Sequence, residues 1–267
     1  MIMENIVVDS FMESLKKFKA MNIQDAIGFG KWNEMFISHH STSIEGSSLT
    51  VDESMLLLLE NVTAKGKPLK DHLMVTNHHD ALLHTIEYAS NKEMLTPEFL
   101  RHIASLVMKD TGSIVNTISG SFDVSKGDYR LTMVRVDKRY FMDYRKVPEA
   151  VEKLCNEIRN NIDTLKNVKD IYNSAFDAHF GLVSIHPFGD GNGRVSRLLM
   201  NYILEYHKQP LAIIFSEDKA DYFNALEKSR EEESYAPFRN FMYAQQTKFF
   251  EQEIAKLNKG TTWSFKL

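Results

Sequence analysis

The chain has 267 residues, 43% hydrophobic and 25% charged, with 32 Lys and Arg against 36 Asp and Glu. This length allows one or two domains with an ample core, and the net charge of −4 argues against the basic stripe of a dedicated nucleic-acid binder. One cysteine, Cys155, excludes an intrachain disulfide and a Cys-based metal site, and no run of about 18 apolar residues is present to span a membrane. The first residues lack the basic and apolar regions of a secretory leader, so the expectation is a cytoplasmic globular protein without nucleic-acid or membrane partners.

Taken in chain order, helical spacing of apolar residues dominates. It predicts helices over residues 9–19 and about 24–44. Thr50-Val51-Asp52-Glu53 reads as a capping box that opens the next helix, with the apolar run Leu56 to Leu59 as core. A helix follows over about 69–90. Thr96-Pro97-Glu98 starts another, with proline at the first position. The spacing then predicts helices over 148–164, 167–184, 194–207, 218–230 and 235–258. Only Leu131 to Tyr144 looks like strand: Val134 and Val136 alternate with charge around Asp137-Lys138-Arg139, which reads as a single β-hairpin. The fold class is therefore all-α with one small β-hairpin.

The chemistry concentrates in His186-Pro187-Phe188-Gly189-Asp190-Gly191-Asn192-Gly193-Arg194-Val195-Ser196-Arg197. The alternating glycines admit backbone conformations closed to other residues, so successive N–H groups can converge on an anion. The apolar stripe of Val195, Leu198, Leu199, Tyr202, Ile203 and Tyr206 sets this loop on a helix N-terminus, which favours a phosphate. Arg194 and Arg197 lie off that stripe on one face, with guanidinium forks suited to phosphate oxygens. Asp190 would repel a phosphate unless it holds Mg²⁺ between carboxylate and phosphate oxygens. His186 can be neutral near pH 7, as a general base must be. Phe188 reads as the loop's anchor in the core. A Walker A ending is absent, and the glycine spacing does not fit the dinucleotide fingerprint. Glu45 closes the helix of residues 24–44, followed by Gly46 as a plausible C′ residue. A carboxylate there opposes the helix dipole, which suggests a partner elsewhere. The adjacent histidines His39-His40 and His78-His79 do not face one site on a helix and read as packing or solvated residues rather than metal ligands.

The motif resembles the signature of Fic-domain proteins, His-Pro-Phe-x-x-Gly-Asn-Gly-Arg-x-x-Arg, at every fixed position, with the resemblance extending over roughly residues 25–250. It implies a Fic-type helical bundle with one hairpin flap: an N-terminal region of residues 1–94 carrying an inhibitory helix (about 24–46), a Fic domain over 95–250, and a tail over 251–267. It implies an adenylyltransferase that moves AMP from ATP, with Mg²⁺, onto a Ser, Thr or Tyr hydroxyl of a target protein. His186 would be the base, Asp190 the metal ligand, and Gly191, Asn192, Gly193, Arg194 and Arg197 the phosphate contacts. Ser41, Glu45 and Gly46 match the family's inhibitory motif, in which the glutamate pairs with the second arginine, here Arg197. Val134, Arg135 and Val136 match the flap strand that holds the target. Tyr222 and Phe223 match an aromatic pair near the nucleotide, with phenylalanine where the second tyrosine is usual. Another donor, AMP removal with Glu45 orienting a water, and a nucleotide-sensing interaction module remain as alternatives. The target and the oligomeric state, including a homo-oligomer, stay open.

Overall fold

Apolar periodicity resolves into ten α-helices among residues 2–136, 139–260 and 263, which the computed structural model describes: α1 Ile2–Ala20, α2 Phe29–Ile44, α3 Val51–Glu60, α4 Leu69–Ser90, α5 Pro97–Met108, α6 Val147–Ile162, α7 Val168–Ile185, α8 Asn192–Tyr206, α9 Lys219–Glu231 and α10 Ala236–Asn258. The all-α class and most helix boundaries follow the sequence reading. The capping box at α3 is complete, with Glu53 N donating to Thr50 Oγ1 (3.2 Å) and Thr50 N to Glu53 Oε2 (2.8 Å). Thr96 Oγ1 caps α5 through the Phe99 N–H. Two starts differ clearly: α1 begins at Ile2 rather than residue 9, and α2 begins at Phe29, because a 3-10 turn over Ile23–Asp25 and left-handed Gly28 (φ 82°) break the helix expected from residue 24.

Two hairpins are present where the sequence suggests one. The expected flap is β3 Arg135–Val136 paired antiparallel with β4 Arg139–Tyr140; its turn at Asp137-Lys138 lies outside the described residues. The other is β1 Ile114–Thr117 with β2 Gly120–Asp123. Its strands are four residues long and largely exposed, so they leave no clear alternation to read. It leans on the flap base, where Thr117 Oγ1 donates to the Leu131 carbonyl and Ser119 Oγ meets the Tyr144 hydroxyl at 2.8 Å.

Helix α8 runs through the centre, packed by α4, α5 and α7. All of its residues but Gly193 and Glu205 are buried, including Arg194, Ser196, Arg197 and Asn201, so the expected apolar stripe is only part of a helix covered on every side. A single hydrophobic cluster runs from Val8 and Phe11 in α1 to Phe249 and Phe250 in α10 and includes Cys155. Phe11 meets Tyr172 and Tyr243, each at 4.8 Å between ring centres. The run Leu56 to Leu59 is not all core: Leu57 joins a small cluster with Leu49 and Val75, while Leu56 is exposed. Among the described residues no helix is long and apolar enough to cross a membrane.

Candidate active site

The loop between α7 and α8 is held by backbone pairing to Tyr129 and Arg130 and by the side chains of Asn192 and Arg130. His186 caps α7 in the left-handed region (φ 53°, ψ 59°), with its N–H on the Leu182 carbonyl at 3.0 Å. Pro187 O accepts from Arg130 N (3.0 Å), and Phe188 forms an isolated bridge with Tyr129. Phe188 is buried, as expected of an anchor. Asn192 opens α8 and brackets Phe188, accepting from its N–H and donating to its carbonyl, both at 2.9 Å. The Asn192 amide is therefore committed to loop shape and leaves phosphate contact to the backbone. Of the three glycines only Gly191 takes a positive φ (81°). Gly193 is required by close approach instead: a Cβ there would lie 2.5 Å from Glu45 Oε1.

Two buried guanidinium groups sit one turn apart at the start of α8. Arg197 donates from Nε to Ser41 Oγ (2.8 Å), and from Nη2 to the Ser41 carbonyl (2.9 Å) and to Glu45 Oε1 (2.6 Å). Gly46 turns the chain away at φ 103°. The end of α2 thus brings Ser41 and Glu45 to Arg197, and the carboxylate that is unfavourable at a helix terminus finds its partner there. Burial pushes the Glu45 carboxyl up, but the charge and hydrogen bond of Arg197, then Arg194 and Lys219, overcome this and leave it below the usual carboxylate range. Arg194 donates from Nη2 to Asp190 Oδ1 and to Met108 Sδ. Its Nε and Nη1, and Nη1 of Arg197, have no hydrogen-bond partner among the described residues. Buried, unspent donors of this kind suit an anion, since leaving them empty is costly.

His186 lies against the flap, its ring stacked on Phe141 at 4.1 Å. Burial pushes its pKa down to about 4, helped by the charges of Arg130, Arg139 and Arg230 and opposed by the Val183 carbonyl. The ring is therefore neutral at pH 7. The flap pairs Arg135 with Tyr140 and Val136 with Arg139, and Phe141 N donates to the Val134 carbonyl. Asp190 is exposed, with one oxygen shared between the Gly191 N–H and Arg194. Among the described residues no cluster of three or more His, Cys, Asp or Glu could hold a metal, so Asp190 would need oxygen ligands from a substrate and water.

The aromatic pair needs a correction. Tyr222 is 1% exposed and its hydroxyl meets His179 Nε2 at 3.1 Å, so it is a core ring beneath Arg197 rather than an open stacking surface. It faces inward with Leu226 and Ser229, at i, i+4 and i+7 of α9. Phe223 is the open ring of the pair, at 47%. The histidine pairs pack, as expected: His39 Nδ1 meets Ser54 Oγ and His40 Nδ1 meets Ser216 Oγ, both at 3.0 Å. Sequence reasoning missed Arg130, His179 and the buried His78, all brought to the site by tertiary contact.

A phosphate-type seat at the head of a buried helix, fed by a His–Pro–Phe loop and flanked by a two-stranded flap, is the construction of a Fic domain. Residues 94–204 match the Fic/DOC family and form its Fic domain in this chain. It is 30% identical over 193 residues to a protein adenylyltransferase of Caenorhabditis briggsae, covering 70% of this chain and 35% of that protein. It is also 30% identical over 200 residues to a protein adenylyltransferase Fic of Nematostella vectensis, covering 72% and 43%. The chain thus spans less than half the length of these curated relatives. A Fic domain containing signaling protein from Bacteroides thetaiotaomicron shares the fold, with a TM-score of 0.79 at 24% identity over 97% of this chain and all of the other.

Proposed function

We propose that this chain is an autoinhibited protein adenylyltransferase that moves AMP from ATP onto a Ser, Thr or Tyr hydroxyl of a target protein. The observation that carries the proposal is the anion seat itself: Arg194 and Arg197 are buried with donors unspent, and the Glu45 carboxylate sits on one of them. A carboxylate and a phosphate compete for the same fork. The relatives named as protein adenylyltransferases support the reaction class.

In this reading the target hydroxyl lies near His186, presented by a segment that adds as a strand to the flap at Val134, Arg135 and Val136. Neutral His186 takes the hydroxyl proton as the oxygen attacks the α-phosphorus of ATP, and pyrophosphate leaves. The N–H groups at Gly191, Asn192 and Gly193 hold the phosphate oxygens where charge develops. Arg194 supports the β-phosphate and Arg197 the γ-phosphate. Asp190 has the exposure and the hard oxygen donors to hold Mg²⁺ beside the phosphates, where the ion would supply charge neutralisation. Phe223 is the ring open to adenine. Glu45 keeps Arg197 from the γ-phosphate in the resting state.

Intact mass after incubation with ATP and Mg²⁺ tests this. Glu45→Gly should gain one or more AMP units, while wild type and the Glu45→Gly, His186→Ala double variant should not. AMP on neither single form, with or without cell extract as a source of targets, overturns the proposal.

A further inference from the structure

Arg130 is fully buried, yet its partners among the described residues are all carbonyls rather than carboxylates. Nε donates to His186 O (2.8 Å), Nη1 to Thr132 O (2.7 Å) and Nη2 to Met142 O (2.7 Å). Its own N–H adds a fourth tie, to Pro187 O. Thr132 and Met142 stand on the two legs of the flap, below β3 and β4, and His186 is the candidate base. One planar group therefore fastens both legs of the flap to the residue that must meet the target hydroxyl.

We propose that Arg130 is a positioning residue that pins the flap to His186 and so fixes the distance between a bound target strand and the base; this rests on the adenylyltransferase reading above. The geometry requires such a pin. His186 is a non-glycine residue in the left-handed region, a strained conformation that persists only where the surroundings impose it. Three carbonyl dipoles converge on one buried point, which only a multidentate donor can satisfy. A guanidinium does so in a rigid fork, whereas a lysine ammonium cannot reach three carbonyls in one plane. Strand addition specifies little by side chain, so precision at the hydroxyl must come from how firmly the flap is seated. The carbonyls that Arg130 holds are not partners of Arg194 or Arg197, whose hydrogen bonds run to Asp190, Met108, Ser41 and Glu45, which separates its role from the anion seat.

The test compares Arg130→Met and Arg130→Lys in the Glu45→Gly background, each checked for folding by circular dichroism. AMP transfer should fall roughly tenfold or more in both, while ATP affinity with Mg²⁺, measured by calorimetry, stays within about twofold of the parent. Hydrogen exchange of residues 131–144 should quicken in both. Titration of the His186 ring by NMR divides charge from geometry. The groups facing that ring are Arg130, Arg139 on β4, Arg230 on α9 and the Val183 carbonyl of α7. Arg130→Met removes one positive neighbour and should raise the titration midpoint; Arg130→Lys keeps the charge and should leave it low. Transfer at the parent rate, or a loss of ATP affinity in step with the rate, overturns the proposal. Should the Met variant fail to fold, the Lys variant decides through rate and exchange. Should the Glu45→Gly parent transfer no AMP, the functional reading fails separately, and Arg130 is judged on exchange and titration: unchanged flap exchange sinks it.

Discussion

At Gly193 the difference between a hydrogen and a methyl group decides what the seat can hold. A Cβ there would lie 2.5 Å from Glu45 Oε1 and 3.1 Å from Arg197 Nη1, inside the space an anion uses. Overpacking of this kind costs about 1–3 kcal/mol. In the Glu45→Gly background the carboxylate is gone, but the added methyl still lies 3.1 Å from Arg197 Nη1, where the proposed reading places the γ-phosphate, so Gly193→Ala there should weaken ATP binding by roughly tenfold or more, read by calorimetric titration; unchanged affinity would mean that phosphate does not pass this glycine. His186 carries a second residue-scale prediction. A base must be unprotonated, and with a pKa near 4 the ring stays neutral as pH falls through the ordinary histidine range. The acid limb of kcat/KM for Glu45→Gly should lie near pH 4, whereas a limb at about 6.5 would show that the ring titrates as an unburied histidine. The loop from His186 to Arg197 and the end of α2 were legible because their residues recur at fixed local spacing. Arg130 was not, since it lies 56 residues from His186 and only tertiary contact joins them. Tyr222 was misread as a nucleotide-facing ring for a related reason: an adjacent aromatic pair does not say which member faces inward, although the spacing to Leu226 and Ser229 does.

At the scale of elements, α2, the inhibitory helix of the proposed function, cannot simply lift away. Met35 to Thr42 are buried without a break, with Ile44 beyond them, and Phe36 and His40 pack on Phe215. His40 Nδ1 also accepts from the Ser216 N–H at 3.0 Å. Displacing the whole helix would expose a large share of the core, far beyond what competition for one arginine can supply. Relief of the proposed inhibition would therefore be local, a swing of Glu45 and the turn at Gly46. Hydrogen exchange should show amides of residues 33–42 equally protected in wild type and in Glu45→Gly with ATP, with changes confined to about 43–48; loss of protection along all of α2 would demand a displaced helix. The helices themselves were readable because 3.6-residue periodicity, the Thr50 capping box and the Thr96-Pro97 start act locally. The hairpin β1–β2 was not, because short strands that bury little apolar surface impose no pattern on their residues. Its place is set by contacts with Leu131 and Tyr144.

Across the whole molecule, burial of neutral histidines ties stability to pH. His40 is pushed down to about 3 and His186 to about 4, chiefly by burial, and His39, His78, His79, His179 and His207 are all lowered. The unfolded chain protonates each near 6.5, so below that pH the unfolded state binds more protons than the folded one. The stability each ring contributes is complete above about 6.5 and is lost progressively as pH falls towards its folded value. One such histidine costs about 1.4 kcal/mol per pH unit in the window between the two values. His40 tests the sum most cleanly, since it holds α2 to Ser216 without touching Arg194 or Arg197. His40→Asn keeps an acceptor and a donor but cannot be protonated. Wild type should be the more stable form at pH 7 by urea unfolding, and its advantage should shrink by about 2 kcal/mol at pH 5. An advantage equal at both pH values would mean that His40 titrates alike in the folded and unfolded chain, and the acid sensitivity of the molecule would then have to come from other groups.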